Sequence, residues 1–160
     1  MIEYPVGASS QILVLTDHVL AHFRIHRQAR WHSREAGGQL FARIDGPSIV
    51  VSEATGPRPS DRRGWNSYVP DRRAEQVEIA SRHKLGLEYV GDWHTHREDV
   101  PTPSETDVQN IGECVRRSTH ELQGFLLIVV GRANPPLGLH VSMHDGRVLH
   151  ELRPFHPGSS

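Results

Sequence analysis

This chain has one cysteine, Cys114, among its 160 residues, so no disulfide can form within it. That suits a reducing compartment, and a cytoplasmic protein is the expectation. A long apolar run is missing too: the longest, Phe125 to Val130, falls far short of the roughly 20 residues a bilayer-spanning helix needs. No basic start followed by an apolar stretch marks a signal peptide. Nor is there an excess of charge of one sign. With a formal net charge of −1 and histidine neutral, nothing global draws nucleic acid or an anionic membrane, and no recognised nucleic-acid module is present. Internal repeats and low-complexity tracts are absent. The length makes one domain, with a core large enough to hold without staples. Histidine is what the chain has in plenty. Protonating all 12 below about pH 6.5 would carry the net charge toward about +11, so solubility and stability are expected to depend on pH.

Gln11 to Thr16 alternates weakly and predicts a strand. Asp17 can cap a helix reaching about Arg30, with Val19, Leu20 and Phe23 on its buried side. Gly37-Gly38 opens a strand to about Ile44, Asp45-Gly46 is a hairpin turn signal, and Ser48 to Ala54 is the partner strand. Thr55 to Val69 is rich in Pro, Gly and Arg and reads as a long loop, a kind often functional or mobile. Pro70 suits the first turn of a helix reaching Leu85, with Ala74, Val77, Ser81 and Leu85 along one side and Gly86 as the stop. Glu88 to His96 reads as a strand with Tyr89, Trp93 and Thr95 facing one way and Val90, Asp92, His94 and His96 the other. A helix from Ser104 to about Ser118 follows. Gly124 to Val130 is nearly unbroken in apolar character, which predicts a central strand covered on both faces. Leu137 to Met143 and Arg147 to Leu152 complete the set around Asp145-Gly146. The order β-α-β-β-α-β-α-β-β-β is a mixed α/β order in one domain over residues 1–153, with 154–160 expected to be a disordered tail.

The most informative stretch is GDWHTHREDVPTPSETD. His94 and His96 stand two apart on an extended strand and project to the same face, so each can give a ring nitrogen to one ion. A loop with Pro101 and Pro103 turns the chain back, and Asp107 in the first turn of the next helix can supply a third, anionic ligand. A His/His/carboxylate set leaves the fourth tetrahedral position of zinc open for water, whose pKa zinc lowers toward about 7. Each piece alone has a plainer reading. A lone His-x-His on a strand is more often a packed or surface pair, and Ser104-x-x-Asp107 resembles a capping box. Their order and spacing together point to a metal site.

The His-x-His, seven residues, Ser-x-x-Asp pattern resembles the JAMM motif of JAB/MPN (Mov34/MPN/PAD-1) zinc metallopeptidases. In that family a glutamate lies upstream, ahead of a Gly-containing apolar run, and the matching position is Glu35 in Arg34-Glu35-Ala36-Gly37-Gly38-Gln39-Leu40-Phe41. The resemblance implies His94, His96 and Asp107 as ligands of Zn2+, Glu35 as general acid/base, and Ser104 as a hydrogen-bonding stabiliser of the oxyanion. It also implies the MPN, cytidine-deaminase-like fold: a mixed β-sheet flanked by about three helices. The version here looks most like compact stand-alone bacterial members found beside homologues of ubiquitin-activating and conjugating enzymes, among them the deconjugating peptidases of CBASS anti-phage operons. The implied reaction is hydrolysis of the bond after the C-terminal glycine of a ubiquitin-like protein or its conjugate. Processing of a sulfur carrier or of a cell-wall or phage peptide, or a non-catalytic scaffold, are the alternatives. One departure is Arg97, where proline commonly follows the second histidine; it bears on loop shape, not on the ligand set.

Other clusters carry weaker signals. His18, His22 and His26 recur every four residues on one helix, so adjacent members can chelate a metal, though a half-exposed stripe is the plainer reading because no acid or cysteine completes the set. Arg58, Arg62, Arg63, Arg72 and Arg73, with Trp65 and Tyr68, form a basic-aromatic cluster that is either solvated surface or the lining of a substrate groove. Asp92 is a candidate to orient a ligand histidine, a job a main-chain carbonyl does equally well. Cys114, in line with Val108, Ile111 and Val115, reads as a small core residue and not as a nucleophile.

Overall fold

The computed structural model describes residues 1–118 and 123–156. Ten strands and three helices alternate as β1 (Ile2–Pro5), β2 (Ile12–Leu15), α1 (Asp17–His26), β3 (Gly37–Asp45), β4 (Ser48–Ala54), β5 (Arg62–Arg63), β6 (Tyr68–Val69), α2 (Arg72–His83), β7 (Glu88–Thr95), α3 (Glu105–Arg117), β8 (Phe125–Val130), β9 (Leu139–His144) and β10 (Leu149–Leu152). Eight strands form one sheet in the order β1-β2-β4-β3-β7-β8-β9-β10. The pairs β2/β4 and β7/β8 are parallel and the rest antiparallel. The mixed α/β architecture with three helices is the one expected of the JAB/MPN fold. Past β10 the chain returns to the opposite edge, where the Phe155 amide donates to the Glu3 carbonyl at 3.0 Å. The expected tail ends in residues 157–160, which lie outside the described residues.

The apolar run of β8 is explained by its position. Leu126, Ile128 and Val130 enter one core cluster with Val19 and Phe23 of α1, while Phe125, Leu127 and Val129 enter a second with Ile111 and Val115 of α3. A strand buried on both faces has no use for polar alternation. Cys114 packs at the margin of the second cluster, as a core residue would.

Four local expectations are corrected. Ile2 to Pro5 forms an edge strand, β1, too short to show a pattern, yet its Tyr4 is buried. The first helix takes Thr16 as N-cap in place of Asp17 and ends at His26, because Arg27 leaves it with ψ 147 and turns Gln28 into the interior. Within the arginine-rich loop, β5 and β6 pair as a small hairpin. Finally, α2 starts after Pro70, with Asp71 as N-cap accepting from the Arg73 and Ala74 amides, and presents a different side to the sheet. Val77 and Leu85 are exposed, whereas Glu75 is buried. Ion pairs of Glu78 with Arg58 and of Arg82 with Glu53 take the place of apolar contact.

The most consequential departure lies in β7. Leu40 pairs with Gly91 but Phe41 pairs with Tyr89, so Val90 is an extra residue and the alternation reverses across it. Tyr89 therefore shares a side with Asp92 and joins the α3-side cluster, while Val90 joins Trp93 in the other. Gly91 makes the bulge possible: its φ is +151°, and a Cβ there would stand 2.1 Å from the Leu126 carbonyl oxygen. Gly91→Ala should therefore cost about 3 kcal/mol or more in urea unfolding; an unchanged midpoint would contradict this account of the strand.

Candidate metal centre

The structure brings His94, His96 and Asp107 together at one point. β7 carries the histidines, and the ladder continues past its end through the His96 amide, which donates to the Val130 carbonyl at 2.9 Å. Asp107 sits in the first turn of α3. His94 Nε2 lies 3.1 Å from Asp107 Oδ2, His96 Nε2 lies 3.2 Å from the same oxygen, and the two Nε2 atoms are 3.2 Å apart. Ligands at 2.0–2.1 Å in a tetrahedral array stand about 3.3 Å apart, so this triangle has the dimensions of three corners around one zinc ion. Two ring nitrogens that face each other this closely also need a shared proton or cation between them. The donor set, imidazole and carboxylate, suits zinc. Among the described residues this is the one group of three or more metal-binding side chains within mutual reach.

Helix capping fixes Asp107, the candidate third ligand. Ser104 is the N-cap of α3; its Oγ accepts from the Asp107 amide at 3.1 Å, and its own amide donates to Asp107 Oδ2 at 2.8 Å. The capping box and the ligand reading are thus the same arrangement, with Oδ2 shared between the cap and the imidazoles. Burial works to raise the Asp107 carboxyl, but hydrogen bonds from both histidines outweigh it and hold the group far below the usual range. His96 moves the other way, raised chiefly by its hydrogen bond to Asp107. Its Nδ1 has no hydrogen-bond partner, and Glu98 Oε1 stands 3.7 Å away.

Glu35 lies just before β3, on the wall of the cavity that also holds His94 and Asp107. Its backbone is held at both ends: the amide donates to the Gly64 carbonyl at 2.8 Å, and Arg63 Nε donates to the Glu35 carbonyl at 2.8 Å. The next residue is tied to the ligand strand, Ala36 N donating to Thr95 Oγ1 at 3.0 Å and Thr95 N to the Ala36 carbonyl at 2.9 Å. Burial pushes the Glu35 carboxyl up, against the pull of His94 and His96. A carboxyl raised in this way holds a proton more readily than one in water. Thr95 and Gln28, both buried, were not singled out from the sequence; the inward position of Thr95 between two outward histidines is a signal that was available.

The cavity, of about 240 Å³, runs from this centre between the β6 region, α2 and α3, and Tyr68, Arg72, Glu75 and Asp92 line it. Asp92 accepts from the Tyr89 hydroxyl at 2.7 Å. No hydrogen bond joins it to His94 or His96 among the described residues, so the expected role in orienting a ligand ring gives way to a place on the cavity wall. The arginine cluster divides. Arg58 is buried against Glu78 and Asp61, Arg72 pairs with Glu75, and Arg62 and Arg73 are exposed. Asp61, which the sequence did not flag, ties the segment down by accepting from the Arg58 and Asp71 amides and the Tyr68 hydroxyl. In α1, His22 bonds the Gly56 carbonyl and packs with His26 on Trp93 while His18 is exposed, so the half-exposed-stripe reading of that series holds.

A sheet of this topology with a His/His/Asp centre at the end of one of its strands defines a JAB-type fold and site. The chain belongs to the family described as prokaryotic homologs of the JAB domain, whose model matches residues 16–142. It is 32% identical over 135 residues to a CD-NTase/cGAS isopeptidase of Vibrio cholerae, covering 81% of this chain and 83% of that one. A CD-NTase/cGAS isopeptidase of Pseudomonas aeruginosa is 29% identical, with 82% and 85% covered. A probable metalloprotease of Sinorhizobium fredii is 30% identical, with 55% and 57% covered. A solved structure of a Desulfitobacterium hafniense protein superposes with TM-score 0.62 at 19% identity, over 87% of this chain and 88% of that one.

Glu75 makes the cavity sensitive to pH. Burial, reinforced by the Asp92 carboxylate, pushes its carboxyl from 4.5 up to about 7. The unfolded chain releases that proton first, so stability falls as pH rises from 4.5 to about 7 and stays lowered above it. Glu75→Gln should match the wild type near pH 4.5 and be more stable at pH 8, by on the order of 2–3 kcal/mol. Urea unfolding across that range checks it, and a difference independent of pH would show that Glu75 is not the source.

Proposed function

We propose that this protein is a zinc-dependent peptidase of the JAMM type, hydrolysing the bond after the C-terminal glycine of a ubiquitin-like protein or its conjugate. The observation that carries the reading is the triangle of His94 Nε2, His96 Nε2 and Asp107 Oδ2, at 3.1–3.2 Å spacing, with Glu35 on the wall of the same cavity. Relatives named CD-NTase/cGAS isopeptidases support a protein conjugate as substrate. A non-catalytic scaffold would need neither Glu35 nor its raised carboxyl beside the ligands.

His94, His96 and Asp107 would hold the ion. When bound, zinc supplies a Lewis acid that polarises the scissile carbonyl and lowers the pKa of water toward about 7. Glu35 accepts a proton from the attacking water and returns it to the departing lysine amine; the second water proton follows from the new carboxyl group, so water and amide become carboxylate and ammonium. The Ser104 Oγ accepts the Asp107 amide through its lone pair, which leaves its O–H free to donate to the oxyanion that forms on the carbonyl. β3 and β7 pair with Gly37 opposite His94, so the segment before β3 and the loop after β7 meet at the same end of the sheet.

The test is cleavage of a lysine-linked conjugate of a glycine-terminated ubiquitin-like protein by purified, zinc-reconstituted protein. Wild type should cleave and chelator should abolish it. Glu35→Ala should bind zinc normally and lose activity by about 10²–10⁴-fold, whereas Asp107→Ala should lose the metal. Equal cleavage by Glu35→Ala would remove Glu35 from the reaction.

A further inference from the structure

Arg97, the residue after the second ligand, makes no ion pair with any carboxylate among the described residues. Its guanidinium is spent on carbonyls instead. Nη1 donates to the Trp31 carbonyl at 2.6 Å, Nε donates to the Trp65 carbonyl at 3.2 Å, and Nη2 donates to the Ser33 carbonyl. The same group lies over the Trp65 ring, 4.8 Å from its centroid, and Trp65 stacks in turn on Trp31 at 6.1 Å. Gln28 reinforces two of these contacts from the buried side, its Nε2 donating to the Ser33 carbonyl at 3.2 Å and the Trp65 carbonyl at 3.4 Å. Its Oε1 accepts from Thr95 Oγ1 at 3.0 Å. Of the two neighbours of His96 in sequence, Arg97 therefore grips these segments directly and Thr95 reaches them through Gln28.

Those two segments meet at Glu35. One, residues 31–35, carries it; the other, residues 63–65, takes its amide through Gly64 and its carbonyl through Arg63. Between His26 and Gly37 no helix or strand holds the backbone, and the local bonds are few: Ala29 N to the Arg27 carbonyl and Ser33 N to the Arg30 carbonyl. Without Arg97 this stretch would be fastened to the ligand strand only at Ala36 and through Gln28. We propose that Arg97 is a positioning residue that locks the Glu35 segment and the β5–β6 turn onto the metal-ligand strand, and so sets where the Glu35 carboxyl stands relative to the centre. The proposal rests on Glu35 being the proton-transfer group. It calls for arginine in particular: three donors on a rigid planar fork reach three carbonyls on two separate segments, which a lysine ammonium on a flexible stem does not reproduce.

The experiment compares wild type with Arg97→Ala and Arg97→Lys, using the lysine-linked conjugate above and amide hydrogen exchange on the zinc-loaded protein without substrate. In both variants kcat should fall about 100-fold, the scale of a misplacement near 1 Å, with KM within about threefold and a full equivalent of zinc retained. Added guanidinium should restore part of the Arg97→Ala rate. Exchange at the Glu35 and Ala36 amides should speed up about tenfold or more, while Val129 and Val130 in the central strand keep their protection. Unchanged kcat, full activity in Arg97→Lys, loss of zinc, or unchanged exchange at Glu35 and Ala36 would each overturn the proposal. Should wild type cleave no conjugate, the peptidase reading fails, and the exchange arm still decides whether Arg97 holds the segment.

Discussion

Two imidazole nitrogens and a carboxylate oxygen converge to 3.1–3.2 Å of one another, and the surrounding structure is arranged to hold that crowding in place. Lone pairs meeting at such a distance repel unless a proton or a cation sits among them, so each contact that holds these groups together also favours one or the other between them. The histidines cannot separate because β7 is paired on both sides, with β3 and with β8. Asp107 cannot swing away because the cap of α3 uses the same Oδ2 that faces the rings. Preorganisation of this kind keeps the cost of assembling a site within folding and out of ion binding.

What could be read from the chain, and what could not, divides along the reach of the forces involved. The apolar run of β8, the His-x-His pair and the Ser104-x-x-Asp107 cap are written in adjacent residues, and the structure places each where that pattern implies. The sides of β7 were misread because its bulge answers to partners far away in sequence: Leu40 and Phe41 on one strand, and the Leu126 backbone that crowds Gly91 on the other. The face of α2 was misread for a related reason. An apolar stripe marks the docking face of most helices, but this one docks through Glu78 and Arg82 beside the buried Glu75, and only the fold shows that Arg58 and Glu53 lie opposite Glu78 and Arg82. Gln28 was hidden inside an apparent helical continuation that the chain abandons at Arg27.

That polar docking face has a consequence at the cavity. A helix packed by aliphatic side chains would leave an oily wall beside the metal centre; α2 contributes Glu75 and Arg72, and β7 adds Asp92. Burying carboxylates in one recess is unfavourable, which is why Glu75 and Asp92 both sit above their ordinary values. Stability is given up there for a wetter, hydrogen-bonding wall, the usual trade near a site that handles a polar substrate. The larger aliphatic cluster lies on the other side of the sheet around Trp93 and α1, while the smaller cluster under α3 reaches the cavity through Ile111 and Leu127.

The tripeptide His94-Thr95-His96 shows how one element serves both needs. Because side chains alternate along a strand, placing two ligands on the open side forces the residue between them into the interior. That residue is Thr95, fully buried, and its hydroxyl receives the Ala36 amide and donates to Gln28. An apolar residue there would fill the space but leave the Ala36 amide without a partner in the interior, a cost of about 1–3 kcal/mol falling on the residue next to Glu35. The strand period that aims the ligands outward therefore also aims an anchor inward, toward the segment that carries the acid/base candidate. The two histidines and the Glu35 segment are thus tied to each other through a single peptide unit on either side of Thr95.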